Sequence, residues 1–227
     1  MGRFTLERFA AVFRGAHPAP GQRLSTGWET IGRNHGYTRY NAVMSTLPRI
    51  LATRSVQSSR FLHVEQVDLE FANGVRRTYE RLGGTYFGAA IIVPMIDAET
   101  VLLVREYGVG VQRYELGLPK GRLEQGETVC EGANRELKEE VGYGAKQLSV
   151  IGKLSLSPAY MTHMTHVVLA QDLFAERLPG DEPEELEVVP WKLNQLHDLL
   201  GREDVSEGRS LAALFMAGEY LAGRYQP

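Results

Sequence analysis

The chain of 227 residues has a single cysteine, Cys130, so no disulfide framework can form within it. One thiol is typical of proteins in a reducing compartment, and we expect a cytoplasmic protein. No apolar run approaches the roughly 20 residues of a membrane-spanning helix, which predicts no membrane contact. With a net charge of −3, the chain also lacks the positive field that would indicate a nucleic-acid partner. Its length and its 43% hydrophobic content indicate a globular domain of ordinary core size with a small appendage.

Lysine is absent from residues 1–43, which contain six arginines and two glutamates and therefore carry a net charge of +4. The rest of the chain carries a net charge of −7. Three interpretations stay open for this basic stretch: a disordered arm, an amphipathic targeting segment, or residues upstream of a later start at Met44. We favour disorder or the later start, and we place no function there. No continuous apolar segment follows the first arginine, so we expect no secretory signal.

Apolar runs of two kinds predict strands in the first half of the chain. Residues 61–71 and 75–82 alternate on either side of a turn at 72–74, which predicts a hairpin. Residues 86–96 are almost wholly apolar, as expected of a strand buried on both faces. Residues 101–107 predict a second strand of the same kind.

The helix signal is strongest over residues 127–141, where apolar residues recur every four positions as Val129, Ala133, Leu137 and Val141, and where Gly142 and Gly144 end the pattern. Beyond it the expected elements are strands at 147–155, 165–170 and 185–189, a helix at 191–201 beginning at Trp191, and a helix at 206–223 opened by Ser206. This order predicts an α/β (α+β) fold, in which a mixed β-sheet is sandwiched between helices and a small β-hairpin subdomain precedes it.

Three glutamates crowd one face of the strongest helix. The stretch RELKEEVG places Glu136, Glu139 and Glu140 at positions i, i+3 and i+4. Like charges at these spacings repel by roughly 0.2–0.5 kcal/mol per pair. Either the face is simply solvated, or a hard divalent cation sits among the carboxylates. The spacing of the three residues alone leaves both explanations open.

The surrounding pattern weighs against a plain acidic face. From Gly121 the chain reads GRLEQGETVCEGANRELKEEVGY, which is G-x5-E-x7-R-E-L-x-E-E-x-G followed by Tyr143 at a position that takes an apolar residue. This stretch resembles the Nudix box at every defined position, and the chain is therefore similar to the Nudix hydrolases. The resemblance implies the Nudix fold, and attack of water on a diphosphate with the assistance of Mg²⁺ or Mn²⁺.

Residue roles follow from the same resemblance. It implies central metal ligands at Glu136 and Glu140, a further ligand at Glu139, the carbonyl of Lys120 to complete the set, and an orienting pair of Arg135 and Glu127. Gly121 has no side chain, so the backbone can approach a phosphate or a metal ion there.

The residues that flank the box resemble the Nudix enzymes that hydrolyse ADP compounds, the NudE type. The similar stretches are SRFLHVEQVDLEFANGVRRTYERL, VLLVREYGVGVQRYELGLPKG, SPAYM and DEPEELEVVPW, and they extend over about residues 45–225. The resemblance implies small-molecule nucleotide substrates, namely ADP-ribose, NADH and diadenosine polyphosphates, cleaved to AMP and a phosphorylated remainder. Arg105 and Glu106 are candidate nucleotide contacts, against the alternative of a strand end that faces solvent. Ala159 stands where ADP-ribose pyrophosphatases carry a glycine, which favours the broader class over a strict ADP-ribose pyrophosphatase.

The general base is expected in an acidic loop downstream of the box, as in ADP-ribose hydrolases. The stretch GDEPEELEVV offers Asp181, Glu182, Glu184 and Glu185. We favour Glu182, with a solvated acidic loop as the equally weighted alternative.

Three further side chains have simpler interpretations. His163 and His166 could bind a metal, but Mg²⁺ prefers oxygen ligands, so we expect histidines with ordinary hydrogen bonds. Cys130 lies on the apolar side of the predicted helix, which indicates packing in the core.

The predicted organisation is a basic extension at 1–43, a β-hairpin and dimerisation subdomain at 44–85, and a Nudix hydrolase domain at 86–227. In the resembling hydrolases an N-terminal sheet of this kind exchanges across a twofold axis, which implies a homodimer. Two rival functions remain on the same fold. A regulator that binds ADP-ribose without cutting it would have lost box glutamates, which are intact here. A prenyl diphosphate isomerase would need a catalytic cysteine on a strand, whereas Cys130 falls inside the box helix.

Overall fold

A computed structural model describes residues 46–59, 62–83 and 87–227. The basic stretch 1–43 lies outside the described residues. The described residues contain ten strands and three α-helices, in chain order β1 Arg49–Ser58, β2 His63–Glu70, β3 Arg76–Gly83, β4 Ala89–Pro94, β5 Thr100–Gly108, β6 Arg113–Gly117, β7 Lys120–Arg122, α1 Val129–Glu136, β8 Tyr143–Ser155, β9 Met164–Ala175, β10 Glu187–Lys192, α2 Leu196–Leu199 and α3 Gly208–Leu221. A π-helical turn, Leu137–Val141, continues α1, and a 3₁₀ turn, Leu193–Gln195, precedes α2. None of the described helices is long and apolar enough to cross a bilayer.

The strands form three sheets. The first is an antiparallel sheet in the order β1-β2-β3, the second is an antiparallel sheet in the order β10-β5-β6, and the third is a mixed sheet in the order β7-β4-β9-β8 in which β4 and β9 are parallel. The first sheet is joined to the rest at its last strand, where Leu82 exchanges backbone hydrogen bonds with Tyr160 and Thr162, 2.7 and 3.1 Å long.

Strand β4 lies at the centre of the core because every one of its six residues is buried. Successive side chains of a strand point to opposite faces, so Ile91 and Val93 join a cluster with α2 and α3, whereas Ala90 and Ile92 join a cluster with α1. Burying one such aliphatic side chain contributes roughly 1.5–3 kcal/mol. The mixed sheet is therefore covered by helices on both faces, as the sequence predicted.

Several predicted elements are confirmed with shifted ends. The hairpin is present as β2 and β3, the two buried strands as β4 and β5, and Gly142 ends the helical segment with a φ of +80°. Three predicted strands are present as β8, β9 and β10: the first two extend beyond the predicted bounds, and β10 begins two residues later and ends three residues later than predicted.

Other predicted boundaries were wrong. The box helix begins at Val129 rather than residue 127, because Thr128 caps it. Trp191 lies in β10 and does not begin a helix, and the helical turns that follow it are short. The last helix is capped by Glu207 rather than Ser206. Cys130 is half-buried, and its thiol points at the carbonyl of Leu148.

Helix α3 depends on a partly buried cap. The carboxylate of Glu207 accepts hydrogen bonds from the backbone N–H groups of Arg209 and Ser210, and it pairs with the Arg209 guanidinium at 2.6 Å. The Ser210 hydroxyl donates to Glu207 and accepts from the N–H of Leu118, so the cap also holds the chain just before β7. Burial opposes ionisation of Glu207, yet these hydrogen bonds hold its pKa below the ordinary value of 4.5.

Replacing this cap tests its contribution. We expect Glu207→Ala to lower the free energy of unfolding by about 1–2 kcal/mol at neutral pH, because helix N–H groups lose their acceptor. The pKa is lower in the folded chain than in the unfolded chain, so this contribution is complete above about pH 4.5 and is lost as the pH falls through the folded pKa. Denaturant titrations at pH 7 and pH 3 measure the change. Glu203→Ala, at an exposed carboxylate of the preceding turn, is the control, and equal losses in both variants would contradict this account.

Candidate active site

Strand β7 brings the start of the box against the core. Its three residues pair with Ala89–Ile91 of β4, so Gly121 is fixed opposite Ala90. A Cβ at Gly121 would overlap the carboxylate of Glu136. A side chain at this position would displace the Glu136 carboxylate from its place beside β7.

The start of α1 is set by a capping box. The Thr128 hydroxyl accepts from the N–H of Glu131, while the Glu131 carboxylate accepts from the N–H of Thr128 at 2.8 Å. Such reciprocal bonds satisfy two backbone donors at a helix start. Glu127 consequently lies just before the helix, where its carboxylate accepts from the N–H of Glu124 and faces Arg135.

Arg135 connects the carboxylates of the box. Its guanidinium donates two bonds to Glu127, at 2.8 and 3.1 Å, one to Glu136 at 2.9 Å, and one to Glu139 at 3.0 Å. It also donates to the carbonyl of Arg122 in β7. Hydrogen bonding to Glu127 is the largest cause of the raised pKa of Arg135. The same hydrogen bonding is the largest cause of the lowered pKa of Glu127. Arg135 therefore holds the loop, the strand and the helix together.

Glu140 is the most buried of these carboxylates, with a relative exposure of 7%. Burial raises its pKa to about 8, although the nearby Lys120 opposes this shift and the N–H of Lys120 donates to Glu140 at 3.1 Å. Burial also raises the pKa of Glu136, against the opposing effect of Arg135. A cation beside these carboxyl groups would favour their ionised forms and lower both pKa values.

The loop after β9 brings in a second group of acids. Asp181 and Glu182 line the same cavity, of about 960 Å³, as Glu136, Glu139 and Glu140. Burial is the first cause that raises the pKa of Glu182. Glu184 and Glu185 do not line that cavity: the first accepts from the Tyr114 hydroxyl at 2.6 Å, and the second lies 3.3 Å from Arg177.

The two neighbouring residues predicted to contact nucleotide point in opposite directions. Glu106 shares a face of β5 with Val104, and it pairs with the ammonium group of Lys120 at 2.8 Å, beside Glu140 and Glu182. Arg105 pairs instead with Glu187 and Asp204, at 2.8 and 2.7 Å. Alternation along the strand separates them, so the structure does not bring Arg105 to the cavity.

The two histidines lie outside the acidic cavity. The ring of His163 is 3.3 Å from the Thr165 hydroxyl, and His166 belongs to strand β9. Burial lowers the pKa of both.

The carboxylates suit a hard divalent ion by their chemistry, because Mg²⁺ and Mn²⁺ prefer oxygen ligands and are commonly held by one or two carboxylates. Within residues 46–59, 62–83 and 87–227, no three His, Cys, Asp or Glu side chains converge into a preformed metal cluster. The Arg135 guanidinium donates a hydrogen bond to one oxygen each of Glu136 and Glu139, and the backbone N–H of Lys120 donates to one oxygen of Glu140. The second oxygen of each carboxylate is the atom that would bind a cation.

Sequence reasoning missed two residues near the site. Tyr114 and Arg177 bind Glu184 and Glu185 near the outgoing end of the acidic loop, and neither belongs to the box. The signal for Arg177 is its position at the start of the loop. Tyr114 offers no such signal, because it reaches Glu184 across 70 positions of sequence.

Known proteins similar to this chain are Nudix hydrolases. Residues 48–81 match the NudE-type Nudix hydrolase N-terminal domain, and residues 85–214 match the NUDIX domain. The ADP compounds hydrolase NudE of Escherichia coli K12 is 50% identical over 177 residues, which cover 78% of this chain and 95% of that protein. An ADP-ribose pyrophosphatase of Bacillus subtilis is 28% identical, over 73% of this chain and 90% of its own length. A crystal structure of ADP compounds hydrolase superposes with a TM-score of 0.74 at 49% identity, covering 79% of this chain and 97% of that one.

The role of Arg135 can be measured without any substrate. We expect Arg135→Lys to lower the free energy of unfolding by about 1–2 kcal/mol, because one ammonium group cannot bridge several carboxylates as a planar guanidinium does. Chemical denaturation measures the change. Arg224→Lys, at an exposed two-bond pair with Glu219, is the matched control and should stay within about 0.5 kcal/mol of the parent chain. A similar loss in both variants would show that Arg135 is an ordinary surface ion pair.

Proposed function

We propose that this chain, which belongs to the Nudix hydrolases and carries an N-terminal domain of the NudE type, hydrolyses the diphosphate bond of ADP-linked small molecules and releases AMP. The observation that carries the proposal is the meeting of carboxylates from two separate elements, the box helix and the loop after β9, around one cavity of about 960 Å³. The named activity of the relative with 50% identity supports ADP compounds as the substrate class. ADP-ribose, NADH and diadenosine polyphosphates are the proposed substrates.

The box carboxylates are proposed to hold one or more divalent ions. Glu136 and Glu140 would be the central ligands, with Glu139 and the carbonyl of Lys120 as further donors. A bound Mg²⁺ or Mn²⁺ supplies positive charge to the diphosphate oxygens and acidifies water. The buried, like-charged surroundings of Glu136 and Glu140 support this role, since a cation relieves their repulsion.

The remaining residues would orient the reactants. Gly121 lines the cavity beside Glu136, so its backbone would lie near a bound diphosphate, while Arg135 and Glu127 would orient the box carboxylates. Glu182 is proposed to accept the proton of the attacking water, because it reaches the cavity from outside the box. The oxygen of water bonds to one phosphorus, the bridging P–O bond breaks, and the products are AMP and the phosphorylated remainder. Glu106 is proposed to contact substrate only through its partner Lys120.

A substrate panel tests the proposal directly. We expect AMP release from ADP-ribose, NADH and diadenosine triphosphate in Mg²⁺, and little turnover of a nucleoside triphosphate or a diphosphoinositol phosphate. Glu140→Gln should lower the rate by at least about 100-fold, because the site loses a charged ligand. Glu131→Gln is the matched control on the same helix, since glutamine preserves a capping box.

Either of two outcomes would contradict this assignment. Binding of ADP-ribose with no turnover of any substrate would identify a sensor rather than an enzyme. Turnover of ADP-ribose alone would identify a strict ADP-ribose pyrophosphatase. Chromatographic detection of AMP, at equal protein concentration for all variants, distinguishes these results.

A homodimer formed through residues 44–85 is also proposed. The edge strand β1 pairs only with β2 among the described strands. The relative exposures of its Ile50, Leu51 and Val56 are 58%, 40% and 54%. Exposed apolar side chains on an open sheet edge are typical of an interaction surface. A second copy of the chain is the proposed occupant, by analogy with related hydrolases.

Light scattering measures this assembly. We expect a mass of twice the 25.3 kDa of the chain, and we expect Val56→Lys to shift the population toward the single chain, because a charge would be buried at the interface. Val150→Lys, at a valine of β8 with 40% exposure, is the control and should leave the mass unchanged. A mass near one chain for the parent protein would refute the homodimer.

A further inference from the structure

We propose that Arg177 and Tyr114 are positioning residues that hold the loop at residues 176–186 in place, so that Glu182 faces the box carboxylates. This inference rests on the proposed function, because it takes Glu182 as the group that accepts a proton from water. It assigns a task to two residues outside the Nudix box.

The first attachment of the loop is to the π-helical turn. The N–H of Leu178 donates to the carbonyl of Lys138 at 3.2 Å, and the N–H of Glu176 donates to the carbonyl of Gly142 at 3.1 Å. Carbonyls at the end of a helix lack partners within the helix. The loop supplies those partners, so the incoming end of the loop is bonded to the segment that carries Glu139 and Glu140.

Arg177 reinforces this attachment through its side chain. The guanidinium donates to the carbonyl of Glu139 at 3.5 Å and lies 3.3 Å from the carboxylate of Glu185 at the far end of the loop. It also covers Gly142: a Cβ there would lie 2.9–3.1 Å from the guanidinium atoms. Arg177, at the incoming end of the loop, therefore contacts both the π-helical turn and the outgoing end of the loop.

Tyr114 holds the outgoing end from another sheet. Its hydroxyl donates to Glu184 at 2.6 Å, and this hydrogen bond raises the pKa of Tyr114. The Tyr114 ring packs edge-on against Tyr107, with centroids 5.4 Å apart, which fixes its direction. Leu186 follows Glu184 and Glu185 and is buried in the hydrophobic cluster that includes α1.

The segment between these attachments is short. Only residues 179–183 separate Leu178 from Glu184, and two of the five are prolines, whose φ angle is fixed. Gly180 lies next to the backbone of Glu139. Glu182 thus comes from a segment held at both ends, and a shift at either end would displace its carboxylate. A displacement of about 1 Å can cost on the order of 100-fold in rate.

A double-mutant cycle tests the inference on the full chain. We expect Arg177→Ala to lower kcat for AMP release by about 10–100-fold while KM changes by less than about threefold, because substrate binding to the box is retained. In a Glu182→Gln background, the same change should lower kcat by less than about twofold, since the group that it positions is already lost. Tyr114→Phe keeps the ring contact and removes one hydrogen bond, so it should give a smaller loss that also disappears in Glu182→Gln.

Control variants separate positioning from general destabilisation. Arg224→Ala removes the exposed ion pair between Arg224 and Glu219 at the end of α3, and it should leave kcat within about twofold of the parent value. Arg177→Lys keeps a donor near the Glu139 carbonyl and should recover part of the lost rate. If Arg177→Ala lowers kcat equally in both backgrounds, or leaves it unchanged, the inference is wrong. A parent chain that releases no AMP would refute the proposed function itself, which is a different result.

Discussion

The repulsion among the carboxylates around Arg135 is the constraint on which the rest of the site depends. Glu127, Glu136 and Glu139 would repel one another in a half-buried setting, and one guanidinium satisfies all three at distances of 2.8–3.1 Å. The same group bonds the carbonyl of Arg122, so the charge balance also fixes the strand that precedes the helix. The same guanidinium therefore compensates the negative charges of the site and holds the backbone of β7 in place. Removing it would leave buried charges without partners, which costs far more than an exposed ion pair contributes.

The sequence predicted the box and the central strands well because both depend on local pattern. The four-residue apolar repeat of α1 and the wholly apolar β4 are visible without knowledge of the fold. The start of α1 was misplaced because its capping residue, Thr128, was not considered. Trp191 was misassigned because residues 191–201 have apolar spacing compatible with a helix, whereas pairing with Val101 extends β10 through this position.

Features that depend on long-range contacts could not be predicted in this way. Strand β1 has no clear alternation because most of its residues are exposed, and its pairing with β2 alone defines it. Arg105 and Glu106 were treated together as neighbours in sequence, although alternation in a strand sends them to opposite faces. Glu182 lines the cavity, whereas Glu184 and Glu185 are bonded to Tyr114 and Arg177, and the contact with Tyr114 spans 70 positions of sequence.

The three-residue strand β7 has a consequence for how such a protein can diverge. It joins one wall of the cavity to β4, in which every residue is buried, so the part that would meet the diphosphate is hydrogen-bonded directly to the core. The parts of a substrate beyond the diphosphate would meet loops and the N-terminal sheet, whose residues are largely exposed. Mutations there can alter substrate preference without disturbing the chemistry. Reaction type and substrate range are thus free to evolve separately within one fold.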